Sequence, residues 1–156
     1  MAREDLSDLK KFLEPFPPEA QETALWLRDW IWSKYPQANE LIYDNYNALA
    51  FGWSPTDRLG HTFCSIAVFR TNFNIHLGFY WGSKLRDPEN KLLGGGNQYR
   101  YWLFKNKKNF PKTYIIKRME EAYAYSLSLV KDPGQFMQAK TIVKSISSAK
   151  RKKKTK

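Results

Sequence analysis

The sequence predicts a two-layer α+β domain, in which an antiparallel sheet of about five strands is backed by N- and C-terminal helices. Three patterns predict this class: helical apolar spacing before residue 36, short strand-like runs between residues 40 and 104, and a second helical pattern from residue 113 to 130. A chain of 156 residues suits one core. We predict a single domain over residues 1–133 and a basic tail over residues 134–156.

Two helices are predicted before the sheet. Residues 4–14 place Leu6, Leu9 and Leu13 on one face. A proline-rich segment then ends this helix, and Pro18 suits the first turn of the next, where its missing N–H has no cost. The second helix should run from Pro18 to Tyr35, since Pro36 ends it. Its apolar stripe contains Trp26, Leu27, Trp30 and Ile31.

The strands are predicted from short runs in which apolar residues alternate. Leu41–Asn45 and Ala48–Trp53 read as a pair around Tyr46 and Asn47. His61–Arg70 and Phe73–Tyr80 read as a hairpin with a two-residue loop, Thr71–Asn72. This register puts apolar cross-strand pairs on one face, and a shift by one residue would destroy the agreement. The pairs are Cys64 with Phe79, Ile66 with Leu77, and Val68 with Ile75.

The remaining elements complete the layer. Residues 82–98 form a long loop with three glycines, Gly94–Gly96, which leads into a strand at Tyr99–Phe104. Phosphate-binding glycine loops open a helix instead, so a turn is the better interpretation than an anion site. A basic loop, Lys105–Lys112, precedes a helix over Thr113–Val130.

The reverse face of the predicted hairpin is the candidate ligand site. Small side chains in its middle would leave a hollow edged by aromatic rings, which is a common form of small-ligand site. The alternative is that a helix, the tail or a second subunit covers this face. The candidate ligand-binding residues are Ser65, Gly78, His76, Tyr80, Phe63 and Arg100, with Phe69 as a further rim residue. Strand order decides whether Arg100 or the pair Tyr99 and Tyr101 overlooks the hollow.

An ordered set of motifs resembles the YdhG-like family, a group of small α+β domains mostly of unknown function. The set comprises Ile75–Phe79, Leu85–Pro88 and Leu92–Tyr101, after a helix ending in Tyr35–Pro36. The chain departs from the family pattern by lacking an acid near Leu93 and a lysine near Asn97. The resemblance implies a helix-backed antiparallel sheet and a frataxin-like iron-chaperone role. It implies no catalytic residues.

Metal binding and catalysis are weighed separately. Iron handling would need clustered carboxylates, but basic residues lie between the acids of the first two helices, so ordinary solvated helix faces are the better interpretation. His61, His76 and Cys64 lack zinc spacing. His76 and Ser65 would need an orienting carboxylate, and nothing in the sequence fixes the distance of the two candidates, Asp44 and Asp87, so we expect no enzyme. The iron candidates would be Glu4, Asp5, Asp8, Glu14, Glu19, Glu22 and Asp29.

Charge is concentrated in the tail. Residues 140–156 hold eight basic residues and no acid, which leaves +3 of the net +11 for the rest of the chain. The tail predicts an amphipathic helix over 135–148 and a disordered end over 150–156. The end serves either solubility or sequence-independent attraction to nucleic acid. Its candidate contacts are Lys140, Lys144, Lys150, Arg151, Lys152, Lys153 and Lys154.

A second basic patch lies within the domain, at Lys105, Lys107, Lys108 and Lys112 between Phe104 and Phe110. Phe–Lys interleaving is compatible with nucleic-acid binding, although basic surface loops are common. The chain has no apolar run of the roughly 20 residues that cross a bilayer, no secretory signal pattern at residues 1–14, and a single cysteine. We therefore expect a cytoplasmic protein whose function is to bind a small ligand, a protein or nucleic acid.

Overall fold

A six-stranded mixed sheet forms one layer of the molecule and three helices form the other in the computed structural model, which describes residues 7–132 and 137–153. The strand order is β5-β4-β3-β2-β1-β6. All neighbours are antiparallel except β1 and β6, which run parallel. The helices are α1 (Ser7–Leu13), α2 (Pro18–Lys34) and α3 (Lys112–Ser128). The strands are β1 (Asn39–Asp44), β2 (Ala48–Ser54), β3 (Cys64–Phe69), β4 (Ile75–Phe79), β5 (Arg100–Phe104) and β6 (Thr141–Ile146).

Helix α2 begins and ends where its prolines predict. Pro18 occupies the first helical position, and the helix ends at Lys34, two residues before Pro36. Leu27 and Ile31 are fully buried, as predicted. Trp26 and Trp30 are only partly buried, because they pack beside the core against Phe104 and Phe110.

The predicted hairpin register is confirmed. Ile66 pairs with Leu77 and Val68 with Ile75, and all four side chains belong to the core. The connection is wider than a two-residue turn, because the Phe73 N–H bonds the Phe69 carbonyl and Phe73 adopts a φ of 60°. The loop therefore spans Arg70–Phe73 without altering which face each strand residue occupies.

One face of the sheet carries all three helices. The buried residues of α1, α2 and α3 form one cluster with the strand side chains of a single face, including Ile42, Phe51, Ile66 and Leu77. By the registers, the other face bears Tyr43, Ala50, Ala67, His76 and Leu103 in one row across the strands. We call this second side the open face, since no helix of the described residues packs on it.

The amphipathic helix predicted for the tail is wrong between residues 141 and 146. These residues form β6, which pairs with Glu40–Asp44 of β1, and Phe136, part of the predicted helical pattern, lies outside the described residues. Polar groups of β1 hold the strand: Thr141 donates to the Glu40 carboxylate at 2.8 Å, and the main-chain N–H of Gln138 donates to the Asn39 side chain at 3.0 Å. Distant polar partners thus outweigh the local helical pattern.

The segment after β6 also contacts the domain. The Lys150 ammonium lies 3.2 Å from one carboxylate oxygen of Asp44. The other oxygen of this carboxylate accepts a hydrogen bond from Arg70 at 2.5 Å. The Arg151 main-chain N–H bonds the Tyr46 carbonyl at 2.9 Å. Residues 150–153, which were predicted to be disordered, therefore lie along the ends of the strands, and Lys154 is outside the described residues.

Candidate functional site: the open face and the basic end of the sheet

The hollow predicted on the open face is filled by the protein's own tyrosine. Tyr99 lies against Gly78, so that a Cβ built on Gly78 would be 2.6 Å from two carbons of the Tyr99 ring. Gly78 is buried, and its cross-strand partner Ser65 is partly exposed. Small residues on this face therefore make room for a ring that leans over from the chain just before β5. Burial also raises the pKa of the Tyr99 hydroxyl.

We expect a Gly78→Ala substitution to lower the free energy of unfolding by about 1–3 kcal/mol, because the new methyl group must displace the Tyr99 ring. Urea denaturation measures the loss. The double variant Gly78→Ala/Tyr99→Ala removes the obstructing ring, so the methyl group should cost less in that background. An equal cost with and without the ring would show that Tyr99 does not fill the hollow.

What remains exposed is a connected row of aromatic rings, which we call the aromatic row: Phe69, His76, Tyr101 and Tyr99. Phe69 and His76 have ring centroids 4.4 Å apart. His76 and Tyr101 are stacked at 3.7 Å with an interplanar angle of 2°. Tyr99 and Tyr101 follow at 5.8 Å. All four rings are partly exposed, so the row crosses β3, β4 and β5 as an accessible aromatic surface.

The row's imidazole is neutral at ordinary pH. Burial lowers the pKa of His76 to about 4, since its Nδ1 is buried and has no hydrogen-bond partner among the described residues. A neutral imidazole stacks on Tyr101 as another aromatic ring. His76 therefore contributes ring surface, and no charge, to the open face.

The free energy of unfolding should rise with pH between about 4 and 6.5 and level off above that range. Unfolded chains protonate His76 at its ordinary pKa, whereas the folded protein resists protonation until about pH 4. We expect a total effect of about 1–2 kcal/mol, reduced by solvent screening of the partly exposed ring. The measurement is urea denaturation across this pH range.

The variant His76→Phe keeps the stacked ring and removes the titrating nitrogens, so it should flatten most of this slope. A smaller slope should persist from His61, whose pKa is also lowered, first by burial and then by Arg58. An unchanged slope in the His76→Phe variant would contradict the assignment.

Two of the predicted site residues lie elsewhere. Phe63 is buried on the helix side, with ring centroids 4.9 Å from Tyr35 and 5.0 Å from Tyr123. It precedes the regular ladder, where its N–H bonds the Trp53 carbonyl, so strict alternation does not extend to it. The register pairs Arg100 with Phe79 of the helix-bearing face. The placement of both residues on the open face was wrong.

Arg100 instead orders the glycine loop. Its guanidinium donates to the main-chain carbonyls of Gly95 at 3.1 Å, Gly96 at 2.9 Å and Tyr99 at 2.8 Å. Gly94 and Gly96 have φ values of 114° and 79°, which favour glycine. The loop is thus a turn into β5, as the sequence indicated.

The other predicted residues border the row. His76 is within it, and Ser65 lies on the same face. Tyr80 follows β4 directly and is partly exposed. Sequence reasoning missed Tyr43, which the register places in the same cross-strand row as His76 and whose hydroxyl has no described partner. Tyr43 follows Ile42, a core residue, and this alternation in the sequence could have predicted that Tyr43 lies on the open face.

The loop Lys105–Lys112 and the part of the tail that follows β6 lie at one end of the sheet, whereas Lys140 precedes β6 at the other end. Strand β5 ends at Phe104, opposite Ile75, so the loop after it starts beside the β3–β4 loop. The tail reaches the same loop, where the Lys153 ammonium is 5.2 Å from the Phe73 ring centroid. We call this region the basic end. Its exposed cations are Lys105, Lys107, Lys108, Arg151, Lys152 and Lys153.

The acidic residues at this end include the exposed Glu19, which lines a hollow with Phe73 and Lys105, and Asp44, which is already paired. Asp44 is buried, and both Arg70 and Lys150 pair with it. Lys140 and Lys144, the other predicted tail contacts, are exposed before and within β6. The loops at the opposite end of the sheet mix both signs, with Asp57, Asp87 and Glu89 among Arg58, Lys84, Arg86 and Lys91. Positive charge is therefore concentrated at one end.

No three His, Cys, Asp or Glu side chains of the described residues are grouped so that they could hold a metal ion. Asp8, Glu14, Glu19, Glu22 and Asp29 are all exposed, while Glu4 and Asp5 lie outside the described range. Cys64 is buried, which raises the pKa of its thiol. No observation on these residues favours the iron alternative.

Across residues 7–132 and 137–153, no helix has the length and apolar character needed to cross a bilayer. Neither a scan of protein-family models nor searches of curated proteins and of solved structures finds a match to the chain. The resemblance to the YdhG-like family therefore stays a prediction, and function has to be argued from the site itself.

Proposed function

We propose that the chain is a non-enzymatic binding domain, and that its ligand is an unpaired stretch of nucleic acid. Bases lie against the aromatic row of the open face, and backbone phosphates lie at the basic end. The single observation behind this proposal is the junction of the two surfaces. Phe69 is the last residue of β3, and the loop that follows it carries Phe73, over which Lys153 stands.

The composition of the two surfaces suits this ligand class. Stacking of a base on an aromatic side chain contributes about 1–3 kcal/mol and tolerates any base. Lysine and arginine attract phosphates without regard to sequence, and they do so by releasing counterions. An unpaired strand is favoured over a duplex, because paired bases keep their faces inside the stack. A compact ligand is less favoured, since Tyr99 occupies the predicted hollow.

Binding of a fluorescein-labelled oligo-dT strand, followed by anisotropy over a range of salt concentrations, tests the proposal. The variant Arg151→Ser/Lys152→Ser/Lys153→Ser keeps β6 and the Lys150–Asp44 pair. It should flatten the log–log salt slope by about 2, since each lost contact to a single strand contributes about 0.7. Its matched control is Lys84→Ser/Lys117→Ser/Lys131→Ser, which has the same net charge and alters exposed lysines away from the basic end.

Stacking is tested on the same oligonucleotide. Tyr101→Leu keeps bulk but removes a ring, and should weaken binding about tenfold or more. Tyr125→Leu, on the helix layer, is the aromatic control and should leave binding unchanged. Unfolding curves establish that each variant is folded. Absence of binding at low salt, or equal effects of test and control variants, would refute the proposal.

We expect this activity in the cytoplasm, as the sequence predicts. The lone buried thiol of Cys64 is compatible with a reducing compartment.

A further inference from the structure

The outer edge of β5 has main-chain groups that the sheet does not use. Tyr101 both donates to the Leu93 carbonyl at 3.0 Å and accepts from the Leu93 N–H at 2.7 Å. Its N–H and C=O therefore point away from β4. Because these directions alternate along an antiparallel strand, those of Leu103, two residues on, also point outward. Among the described residues, no hydrogen bond occupies the outward groups of Leu103.

A groove of about 340 Å³ runs along this edge beyond Leu93. Its apolar lining consists of Leu93, which is 46% exposed, and the partly exposed Trp102 and Leu103. The rest of the lining is polar or basic and contains no acid. It consists of Lys91, Lys105, Asn106 and Asn109.

We propose that this edge binds an extended acidic peptide segment, which adds to the sheet as a further strand and continues the pairing that Leu93 begins at Tyr101. The main chain of Leu103 would exchange hydrogen bonds with the peptide. Successive peptide side chains would meet Trp102 on the helix-bearing face and Leu103 on the open face, as in other cases of strand addition. This surface is distinct from the aromatic row, which lies on the sheet face and not along its edge, but it shares Lys105 with the basic end.

The positive charge of the groove favours an acidic peptide over a second copy of this chain. Lys105 lies in the groove, and Lys107 and Lys108 follow in the next loop, all exposed. Lys91 lies 3.6 Å from Glu89, in an ion pair that is largely open to solvent. An acidic segment gains from these cations. A second copy of this chain, paired edge to edge, would instead bring its own lysines against them.

A synthetic peptide of alternating glutamate and valine, blocked at both ends, is the probe. Amide hydrogen exchange of the full chain, followed by NMR, should show at least a tenfold slowing at the Leu103 N–H when the peptide saturates. The same peptide with N-methyl groups on alternate residues cannot form the ladder, and a lysine–valine peptide carries the wrong charge. Neither should slow the exchange.

Two variants separate main-chain pairing from side-chain contact. Leu103→Pro removes the outward-pointing N–H together with the leucine side chain, at a position where an edge strand tolerates proline, and should abolish the shifts that the peptide causes at neighbouring amide signals. Leu103→Ala keeps the N–H and should bind within a few-fold of the parent chain. Equal binding of the N-methylated peptide, or binding that survives Leu103→Pro, would overturn the proposal.

The lysines could instead serve only to keep copies of this chain apart, as exposed edges often require. In that case no peptide would alter exchange at Leu103, while Lys105→Val would self-associate in sedimentation. That combination would also overturn the proposal. Loss of oligo-dT binding in the variants of the basic end or aromatic row has no bearing on Leu103 exchange, so the two proposals fail separately.

Discussion

A chain that ends after Ala139 should lose about 3–5 kcal/mol of the free energy of unfolding. Truncation removes the whole of β6 together with the main-chain bonds at its two ends, Glu40 N–H to Lys140 at 2.7 Å and Ser147 N–H to Asp44 at 2.8 Å. Each net hydrogen bond contributes roughly 1 kcal/mol. Val143, which packs against the core, adds the burial of an aliphatic side chain.

Truncation would also remove the side-chain partners of two acidic residues of β1. Glu40 is fully buried and would lose the Thr141 hydroxyl, and Asp44 would lose Lys150. Urea denaturation of the truncated and full chains measures the difference. The basic-tail variant Arg151→Ser/Lys152→Ser/Lys153→Ser is the control, because it removes exposed charge but keeps β6, and should change stability by less than about 0.5 kcal/mol. Equal stability of the truncated and full chains would show that β6 is dispensable.

This result bears directly on nucleic-acid experiments. Deleting residues 140–156 would alter charge and fold together, so a loss of binding could not be assigned to the cations. Substituting the tail residues that follow Lys150 isolates charge, because Lys150 still pairs with Asp44.

Replacing Arg28 with methionine should cost about 3–5 kcal/mol, the largest effect that we expect from a single substitution. Arg28 and Glu40 are 1% and 0% exposed, and the guanidinium holds the carboxylate through two bonds of 2.7 and 2.8 Å. Removing one member leaves a buried charge without its partner. Glu40 joins α2 to β1, and through Thr141 it also joins β1 to β6.

The double variant Arg28→Met/Glu40→Leu removes both charges and should be more stable than Arg28→Met alone, since no unpaired ion remains. Denaturant unfolding of the parent, both single variants and the double variant gives the coupling energy of the pair. Additive effects of the two substitutions would show that the pair does not act as a unit.

The elements with local patterns were predictable. The β3–β4 register follows from alternating apolar residues on adjacent segments, and α2 follows from its prolines and apolar spacing. Strand β6 was not predictable in this way, because its hydrogen-bonding partner lies about 100 residues earlier in the sequence. Val143 and Ile146 have helical spacing, and their strand conformation depends on polar groups of β1.

The candidate site was predicted in outline only. Alternation correctly placed Ser65, His76 and Gly78 on the face opposite the core. Residue size suggested a hollow there, overlooked by either Arg100 or the pair Tyr99 and Tyr101, but it did not reveal that the Tyr99 ring fills the hollow. Phe63 was misplaced because alternation fails at the irregular start of β3.

The parallel pairing of β1 with β6 has a consequence for synthesis of the chain. Strands β1 to β5 are hydrogen-bonded to one another in the order of the sequence, so this meander can assemble as it leaves the ribosome. Thr141–Ile146 emerge about 100 residues after Glu40–Asp44, and until then the backbone of Glu40–Asp44 has no neighbour on one side. A nascent chain therefore exposes one edge of β1, beside the Glu40 carboxylate, until β6 has been synthesised and pairs with that edge.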